Sequence, residues 1–402
     1  MVKVAHITTI DLSLRYLLLN QLRSIQAAGY EVTGISTPGP DVPVIQEAGI
    51  RHIPVPMTRN FTPLADVRSL GHLVRVLRRE RFTIVHTHNP KPGLLGQLAA
   101  RMAGVPVVVN TLHGFYFHDR MAPHWRRFYI ATEKIAARCS DVILSQNSED
   151  IDTAIGLGIC RPGQIKRLGN GIDVQRFDPA RMDPARLAAV RAELGLAAGR
   201  PTVGFVGRLV AEKGILELLA AVRTVVEQVP DVQLLVVGPV DHEKLDALTP
   251  AVAAEYGLAD RCVFAGMRQD MPELYALMDV FALPSHREGF PRSPMEASAM
   301  GVPALVTDIR GCREAVEQGR NGLLVPLGDV PALAAALVDL LTDREKARRM
   351  GQAGREMALD RFDERHVFAM VTAEYERLLA EKGLRPVQGS AENRKPATNS
   401  TN

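Results

Sequence analysis

Ser285-His286-Arg287-Glu288-Gly289-Phe290-Pro291-Arg292-Ser293-Pro294-Met295-Glu296 is the stretch from which the fold is read. The apolar run Val280-Phe281-Ala282-Leu283 before it predicts a buried strand. Met295-Glu296-Ala297-Ser298-Ala299-Met300 predicts a helix. Ser293 is placed to cap that helix, and Pro294 suits its first turn. Glu296 sits three residues past the cap, where a capping-box Glu belongs. Strand, Gly-containing loop and helix N-terminus together form a natural anion site, because free N–H groups and the helix dipole point the same way. Glu288 and Glu296 flank it, eight residues apart. That spacing suits a ligand with phosphate in the middle and hydroxyl groups at both ends. The plain alternative is a Glu296 that only caps its helix and a Glu288 that is a solvated loop residue.

Upstream, Thr202 to Val206 predicts another strand, which runs into Gly207-Arg208-Leu209-Val210-Ala211-Glu212-Lys213-Gly214. A guanidinium fork and an ammonium on one loop can neutralise two phosphates and stabilise a departing diphosphate. The plain alternative here is a solvated Arg–Glu pair. No Gly-Lys-Ser/Thr follows, so this is not a P-loop. Further strands end at Gly238-Pro239, at Ala265-Gly266-Met267 and at Thr307, so several strand-end loops converge on one edge, as a nucleotide site requires.

The first half alternates in the same way. Val2 to Ile7 is a strand, Thr8-Thr9-Ile10-Asp11 a loop, Ser13 to Ala28 a helix ended by Gly29, and Glu31 to Ser36 a second strand. Strand, helix, strand implies a parallel unit. Ile84 to His88, Val105 to Asn110 and Asp141 to Ser145 are later strands. His86, His88 and His113 fall at or just past strand ends, where ligands bind in open α/β sheets. Two His at i and i+2 offer a zinc pair, but no Cys or carboxylate lies near in sequence to complete it. Packed, satisfied histidines are the other reading.

At 402 residues two domains are the default. The composition, 46% hydrophobic and 23% charged, is that of a soluble globular protein. Cys139, Cys160, Cys262 and Cys312 are scattered, which suits a reducing compartment better than a disulfide frame. No apolar run reaches the roughly 20 residues of a membrane helix. Val2 to Ile7 already reads as core strand, so no signal peptide is expected. The net charge of +3 hides an asymmetry: up to Gln175 there are 20 Lys/Arg against 13 Asp/Glu, and beyond it 28 against 32. A basic half suits a pyrophosphate or an anionic lipid surface. Without a nucleic-acid motif, nucleic acid is not the expected partner. Asp66 to Arg81 is a basic amphipathic helix. Trp125-Arg126-Arg127-Phe128-Tyr129 mixes aromatics with cations, as interfacial helices do. Packing of Trp125 and Phe128 into their own domain is the alternative.

Glu288-Gly289-Phe290-Pro291, followed by Glu296-Ala297, resembles the Glu-x7-Glu signature of retaining glycosyltransferases with the GT-B fold, sequence family 4. Gly207 to Gly214 is similar to that family's G-R-L-x-x-E-K-G element. Asn170-Gly171-Ile172-Asp173 is similar to the N-G-[IV]-D element that closes its first domain, and His113-Gly114 to its H-G. Thr8-Thr9 stands where members often carry Gly-Gly. The resemblance spans roughly residues 1–384. It implies an α/β protein of two facing doubly wound parallel-sheet, Rossmann-like domains. An acceptor-side domain would cover 1–175, completed by a helix at about 365–384, and a nucleotide-sugar domain 176–364. The polar segment 385–402 is expected to be disordered.

The resemblance further implies a nucleotide-sugar donor, UDP-linked in the first instance, with the active site between the domains. Arg208 and Lys213 would clamp the diphosphate, Glu288 and His113 touch the donor sugar, and Glu296 hold the ribose. Gly207, Gly238, Met267, Gly289, Phe290, Pro291, Arg292 and Ser293 would complete the donor site, with backbone near Met267 reading the base. No cofactor or metal is implied. The segment from His86 to Phe117 is similar to members that build capsules, exopolysaccharides or lipid-linked oligosaccharides, so a lipid-linked or saccharide acceptor is expected. A cytoplasmic place follows, peripheral on the inner face of the plasma membrane. A nucleotide-sugar epimerase and a non-catalytic nucleotide-sugar-binding protein are the rivals. An NAD oxidoreductase is not expected, because G-x-G-x-x-G is absent.

Overall fold

The computed structural model describes residues 1–88, 90–118, 121–241 and 244–384; the tail expected at 385–402 lies outside them. The chain forms two compact units, one from residues 1–169 with the C-terminal segment from Val367, the other from residues 170–366.

The first unit holds a seven-stranded sheet of β1 (Lys3–Ile10), β2 (Glu31–Thr37), β3 (Arg51–Pro54), β4 (Ile84–His88), β5 (Val107–Leu112), β6 (Val142–Ser145) and β7 (Ile165–Arg167), in the order β3-β2-β1-β4-β5-β6-β7. All its pairings are parallel. The second unit holds six strands: β8 (Thr202–Val206), β9 (Gln233–Val237), β10 (Cys262–Gly266), β11 (Val280–Leu283), β12 (Ala304–Thr307) and β13 (Gly322–Val325). Their order is β10-β9-β8-β11-β12-β13 and they too are parallel. Both sheets are doubly wound. In each, the chain order reverses beside the first strand, between β1 and β4 and between β8 and β11, and these switch points are where such sheets bind ligands. The central strands read as unbroken apolar runs because helices cover both faces; β9 and β11 are buried along their whole length.

The helix Glu364–Glu381 returns the chain to the first unit. Val371, Tyr375, Leu378 and Leu379, at most 2% exposed, join Val4, Leu22 and Ile25 in one core cluster. Each such aliphatic side chain contributes about 1.5–3 kcal/mol of burial.

Three expectations need correction. The second unit begins at Asn170, not 176, because Ile172, Val174 and Phe177 pack into its core and the Ile172 N–H donates to Phe362 O at 2.8 Å. Thr8 and Thr9 are not a loop: β1 continues to Ile10 and helix starts at Asp11, with a π-helical segment at Leu14–Leu18. Asp11 makes this abrupt junction possible by accepting from the N–H groups of Leu12 and Asp41 at 2.9 and 2.8 Å. Ser293 is not a cap. Its helix is Arg292–Ala299, Pro291 is the capping residue, and no side chain caps it. Glu296 is therefore released from the capping-box role, and its carboxylate goes elsewhere.

Candidate active site

At the β8/β11 switch point the loops interlock through backbone. Gly214 has φ +75°, and a Cβ there would meet Pro284 O at 1.9 Å; at Gly238, φ +140°, a Cβ would meet Gly207 O at 1.9 Å. Only glycine fits such approaches. Gly238 N–H donates to Gly266 O at 2.9 Å, which brings the end of β10 and hence Met267 alongside; Met267 is 49% exposed. The His286 N–H donates to Glu212 O at 2.9 Å. So Gly207, Arg208, Lys213, Gly238 and the Glu288 loop share one edge of the sheet, with Met267 at its margin.

The side chains on this edge are ionic and paired. Lys213 Nζ donates to Glu288 Oε1 at 2.6 Å and joins the loop after β8 to the loop after β11. Arg208 Nη1 donates to Asp241 Oδ2. Arg287 Nε donates to Glu212 Oε1 at 2.7 Å. Burial alone would raise the Glu212 carboxyl, yet Arg287 holds it below its ordinary range. Three cations and three carboxylates are thus matched on loops whose topology favours an anion, and an incoming diphosphate would take the place of the carboxylates on Arg208 and Lys213.

Glu296 accepts from the buried Tyr275 hydroxyl at 2.9 Å through Oε2. Burial pushes its pKa up, with Arg292 and Tyr275 working against that. The carboxylate is therefore held by a neutral donor, which fixes its orientation without quenching its charge. Phe290 and Pro291 are buried, and Phe290 O accepts from Asn170 Nδ2 at 2.8 Å. Gly289 lies against Gly311, whose Cβ would sit 2.4 Å from Gly289 O. Arg292 Nη2 donates to Glu364 Oε2 at 3.3 Å, and Ser293 is half-buried in the first turn. Tyr275 and Asp241 were not legible as site residues: each lies in an unremarkable stretch and acts only through a partner 21 or 33 positions away.

His113 belongs to the first unit and to a different arrangement. Next to it, at the β1/β4 switch point, His6, His86 and His88 are buried together. Their stacking follows from register: His6 pairs with His86 across β1 and β4, and His88 lies two residues on, on the same face. The His86 and His88 rings stack at 4.4 Å and 24°. Ligand atoms of His6, His86 and His88 all fall within 4.8 Å of one another, the one such group found among the described residues. Every ring nitrogen nevertheless has a protein partner. His6 Nδ1 meets His88 Nε2 at 3.0 Å, and His6 Nε2 meets the Tyr375 hydroxyl at 3.3 Å. His86 meets Tyr375 at 2.6 Å and Thr111 at 2.7 Å. His88 Nδ1 meets His113 Nε2, and His113 Nδ1 meets Gln146 Oε1, both at 3.2 Å. Among the described residues no carboxylate joins the group to balance a dication, so the arrangement reads as a neutral network rather than an ion cage. Burial lowers the pKa of His6 to about 3 and of His113 to about 4, and holds His86 and His88 well below 6.5. The sequence pointed to His86, His88 and His113 and missed His6, Tyr375 and Gln146; a lone His in the apolar run of β1 is the signal that was available.

Comparisons with known proteins follow the two-unit division. The family model described as "Glycosyl transferases group 1" matches residues 188–357, and that described as "Glycosyl transferase 4-like domain" matches residues 15–171. The chain is 33% identical over 290 residues to a UDP-Gal:alpha-D-GlcNAc-diphosphoundecaprenol alpha-1,3-galactosyltransferase of Escherichia coli, covering 72% of this chain and 74% of the relative. It is 26% identical to the capsular polysaccharide biosynthesis glycosyltransferase CapM of Staphylococcus aureus, over 94% of this chain and 98% of that one. The crystal structure of Anabaena HepE in complex with UDP and glucose matches with a TM-score of 0.79 at 21% identity, covering 94% and 100% of the two chains. At that identity the likeness speaks for the fold.

Proposed function

This chain belongs to the GT-B glycosyltransferases of sequence family 4, and on that premise we propose that it moves a sugar from a UDP-linked donor to a lipid-linked or saccharide acceptor in cell-surface glycan synthesis, with retention of configuration. The observation that carries this reading is the paired ionic edge at the β8/β11 switch point. Arg208 and Lys213 face carboxylates that a diphosphate can replace. In the reaction the bond from C1 of the sugar to the β-phosphate oxygen breaks, and its electron pair stays on the diphosphate. A bond from the acceptor oxygen to C1 forms on the same face, and the acceptor proton passes to the departing phosphate. Arg208 and Lys213 stabilise the charge that grows on the diphosphate. Glu288, freed when the diphosphate takes its place on Lys213, lies beside the sugar, and Glu296, oriented by Tyr275, takes the ribose hydroxyls. UDP is favoured because the 33% identical relative is named for a UDP-sugar and HepE was solved with UDP.

The lipid-linked acceptor is supported by the same relative, named for a diphosphoundecaprenol substrate, and by a surface of the first unit. Phe61, Leu64, Val67 and Trp125 are between 49 and 82% exposed. Phe61 meets Phe128 edge-on at 5.1 Å, and Phe128 meets Trp125 at 5.8 Å, so the starts of helices Pro63–Glu80 and Pro123–Cys139 form one aromatic face. Exposed Arg68 and Arg127 flank it. Apolar tips with cationic flanks suit shallow contact with an anionic leaflet. No helix among the described residues is long and apolar enough to cross a membrane, so contact of this kind would be peripheral.

The test is turnover of UDP-sugars with an undecaprenyl-diphosphate-linked saccharide. A glycosylated acceptor, free UDP and an anomeric centre matching that of the donor are expected. An inverted product would reject retention, and donor turnover without acceptor would favour the epimerase.

A further inference from the structure

The histidine network of the first unit has a direction. Gln146 Oε1 can only accept, so His113 Nδ1 carries the proton and His113 Nε2 is a lone pair. That lone pair must meet a proton, so His88 donates from Nδ1 and leaves its Nε2 bare. His6 then donates from Nδ1 to His88 Nε2, and its own Nε2 takes the Tyr375 hydroxyl proton. The Tyr375 oxygen accepts from His86 Nδ1, and His86 Nε2 takes the proton of Thr111. Every group is then neutral and every donor has an acceptor. If His6, His88 or His113 took the other tautomer alone, two lone pairs would face each other at one joint and two protons at the other; at His86 the fault would fall on the Tyr375 joint, since the Thr111 hydroxyl can donate or accept. Inside a protein each such fault leaves buried polar groups unsatisfied. The rings can therefore reverse only together.

We propose that His6, His86, His88 and Tyr375 are positioning residues, a single hydrogen-bonded chain that locks His113 as a neutral Nδ1–H donor. The proposal rests on the reading that His113 meets the donor sugar, and it says how. A sugar oxygen that replaces Gln146 Oε1 finds a fixed proton on Nδ1. His113 is barred from acting as a base, because its Nε2 lone pair is already held by His88. Tyr375, on the returning C-terminal helix, ties that helix to the state of His113. The strong depression of all four imidazole pKa values is consistent with a chain that excludes charge.

Long-range proton–nitrogen correlation spectra of the protein labelled with nitrogen-15 at histidine test this directly. In the full chain at pH 7, His6, His86, His88 and His113 should all show the neutral Nδ1–H pattern. A mixed set of tautomers, an imidazolium among the four, or one equivalent of zinc bound to these rings in the purified protein would overturn it. Gln146→Leu removes the acceptor that sets the direction of the chain. His113 should then lose its single-tautomer signal, His88 and His6 should lose theirs with it, and the donor KM should rise about 2-fold, as half the molecules present the wrong nitrogen. If that variant does not fold, Tyr375→Phe, which leaves Gln146 in place but cuts off His86, should mix the tautomers of His86 and leave the other three rings as Nδ1–H. Mixing at His113 alone in a folded Gln146→Leu protein, or an unaltered pure signal at His86 in a folded Tyr375→Phe protein, would refute the coupling. A mixed tautomer with unchanged donor KM would keep the chain and remove the sugar from His113, which separates this proposal from the reading it rests on.

Discussion

The two switch points share a topology and differ in electrostatics. At β8/β11 the chain places three cations and three carboxylates on loops, half-buried apart from the buried Asp241, and lets them neutralise one another. At β1/β4 it buries His6, His86 and His88, with His113 half-buried beside them, and keeps all four uncharged through mutual hydrogen bonds. The first arrangement is ready to exchange one anion for another, since the pairs sit where water and ligand reach them. The second is ready to exchange nothing, since a charge placed there would lack solvation. A sheet edge of one kind can thus serve either to bind charge or to set the proton of a neighbour, and the difference lies in whether the polar groups stand on loops or inside strands.

The comparison predicts its largest effect on stability at mildly acid pH. The four histidines are neutral when folded and protonate near pH 6.5 when unfolded, so the unfolded chain binds more protons below that value and folding weakens as pH falls. Their contribution is complete above pH 6.5 and is lost towards pH 4 for His113 and pH 3 for His6. At pH 5.5 each costs on the order of 1 kcal/mol, about 5 kcal/mol together. Glu133 acts in the opposite sense: burial, aided by Asp150, raises its pKa to about 7, so acidification relieves it and returns about 2 kcal/mol. Glu296, also raised, adds to that relief. A net loss of about 3 kcal/mol between pH 7.5 and 5.5 should appear in denaturant melts. A flat profile over that interval would mean that the rings carry charge in the folded state.

The ionic edge should respond to substitution in function rather than in folding. Removing one cation from a diphosphate site costs on the order of 2–3 kcal/mol in the transition state. Lys213→Ala and Arg208→Ala should each lower kcat/KM by about 10²-fold. Wild-type kinetics in both would remove the clamp and with it one side of the comparison. A smaller effect is expected at Glu296. Glu296→Gln keeps an acceptor for Tyr275, so the fold is preserved, and UDP affinity should fall about 10-fold, one charged hydrogen bond. Glu288→Gln should instead lower turnover with little change in UDP affinity. Calorimetry that found the reverse would exchange the two assignments.

Much of this was legible in the sequence, for reasons that differ between the two regions. The alternation of strand and helix, and the motifs Gly207 to Gly214 and Glu288 to Glu296, are local: strand, loop and candidate binding residue lie within a few positions of each other. The ion pairs were not legible, because Asp241 reaches Arg208 only when β9 lies against β8. The histidine chain was hidden more deeply. His6 and Tyr375 stand 369 residues apart; His6 sits in the apolar run of β1, and Tyr375 stands between Glu374 and Glu376 on the apolar face of a helix, so periodicity reads both as core. The misread cap at Ser293 has a local cause: with Pro291 preset near φ −69°, the helix starts at Arg292, ahead of the residue whose side chain favours capping.

The smallest effect concerns the outer surface of the first unit. There the exposed Arg68 and Arg127 stand near Phe61, Leu64 and Trp125. Each basic residue near an anionic leaflet contributes about 1 kcal/mol, so Arg127→Ala or Arg68→Ala should each weaken binding to vesicles rich in anionic lipid about 5-fold. Arg127 is the better probe than its neighbour, because the Arg126 guanidinium lies 5.9 Å from the Phe117 ring and is engaged with its own unit. Trp125→Ala should weaken binding to neutral and anionic vesicles alike, whereas the Arg variants should matter only with anionic lipid and at low salt, since raised salt screens the attraction. Co-sedimentation across a salt series separates these contributions. Equal and negligible pelleting with both kinds of vesicle at low salt would leave the aromatic face without a membrane role and favour a soluble saccharide acceptor.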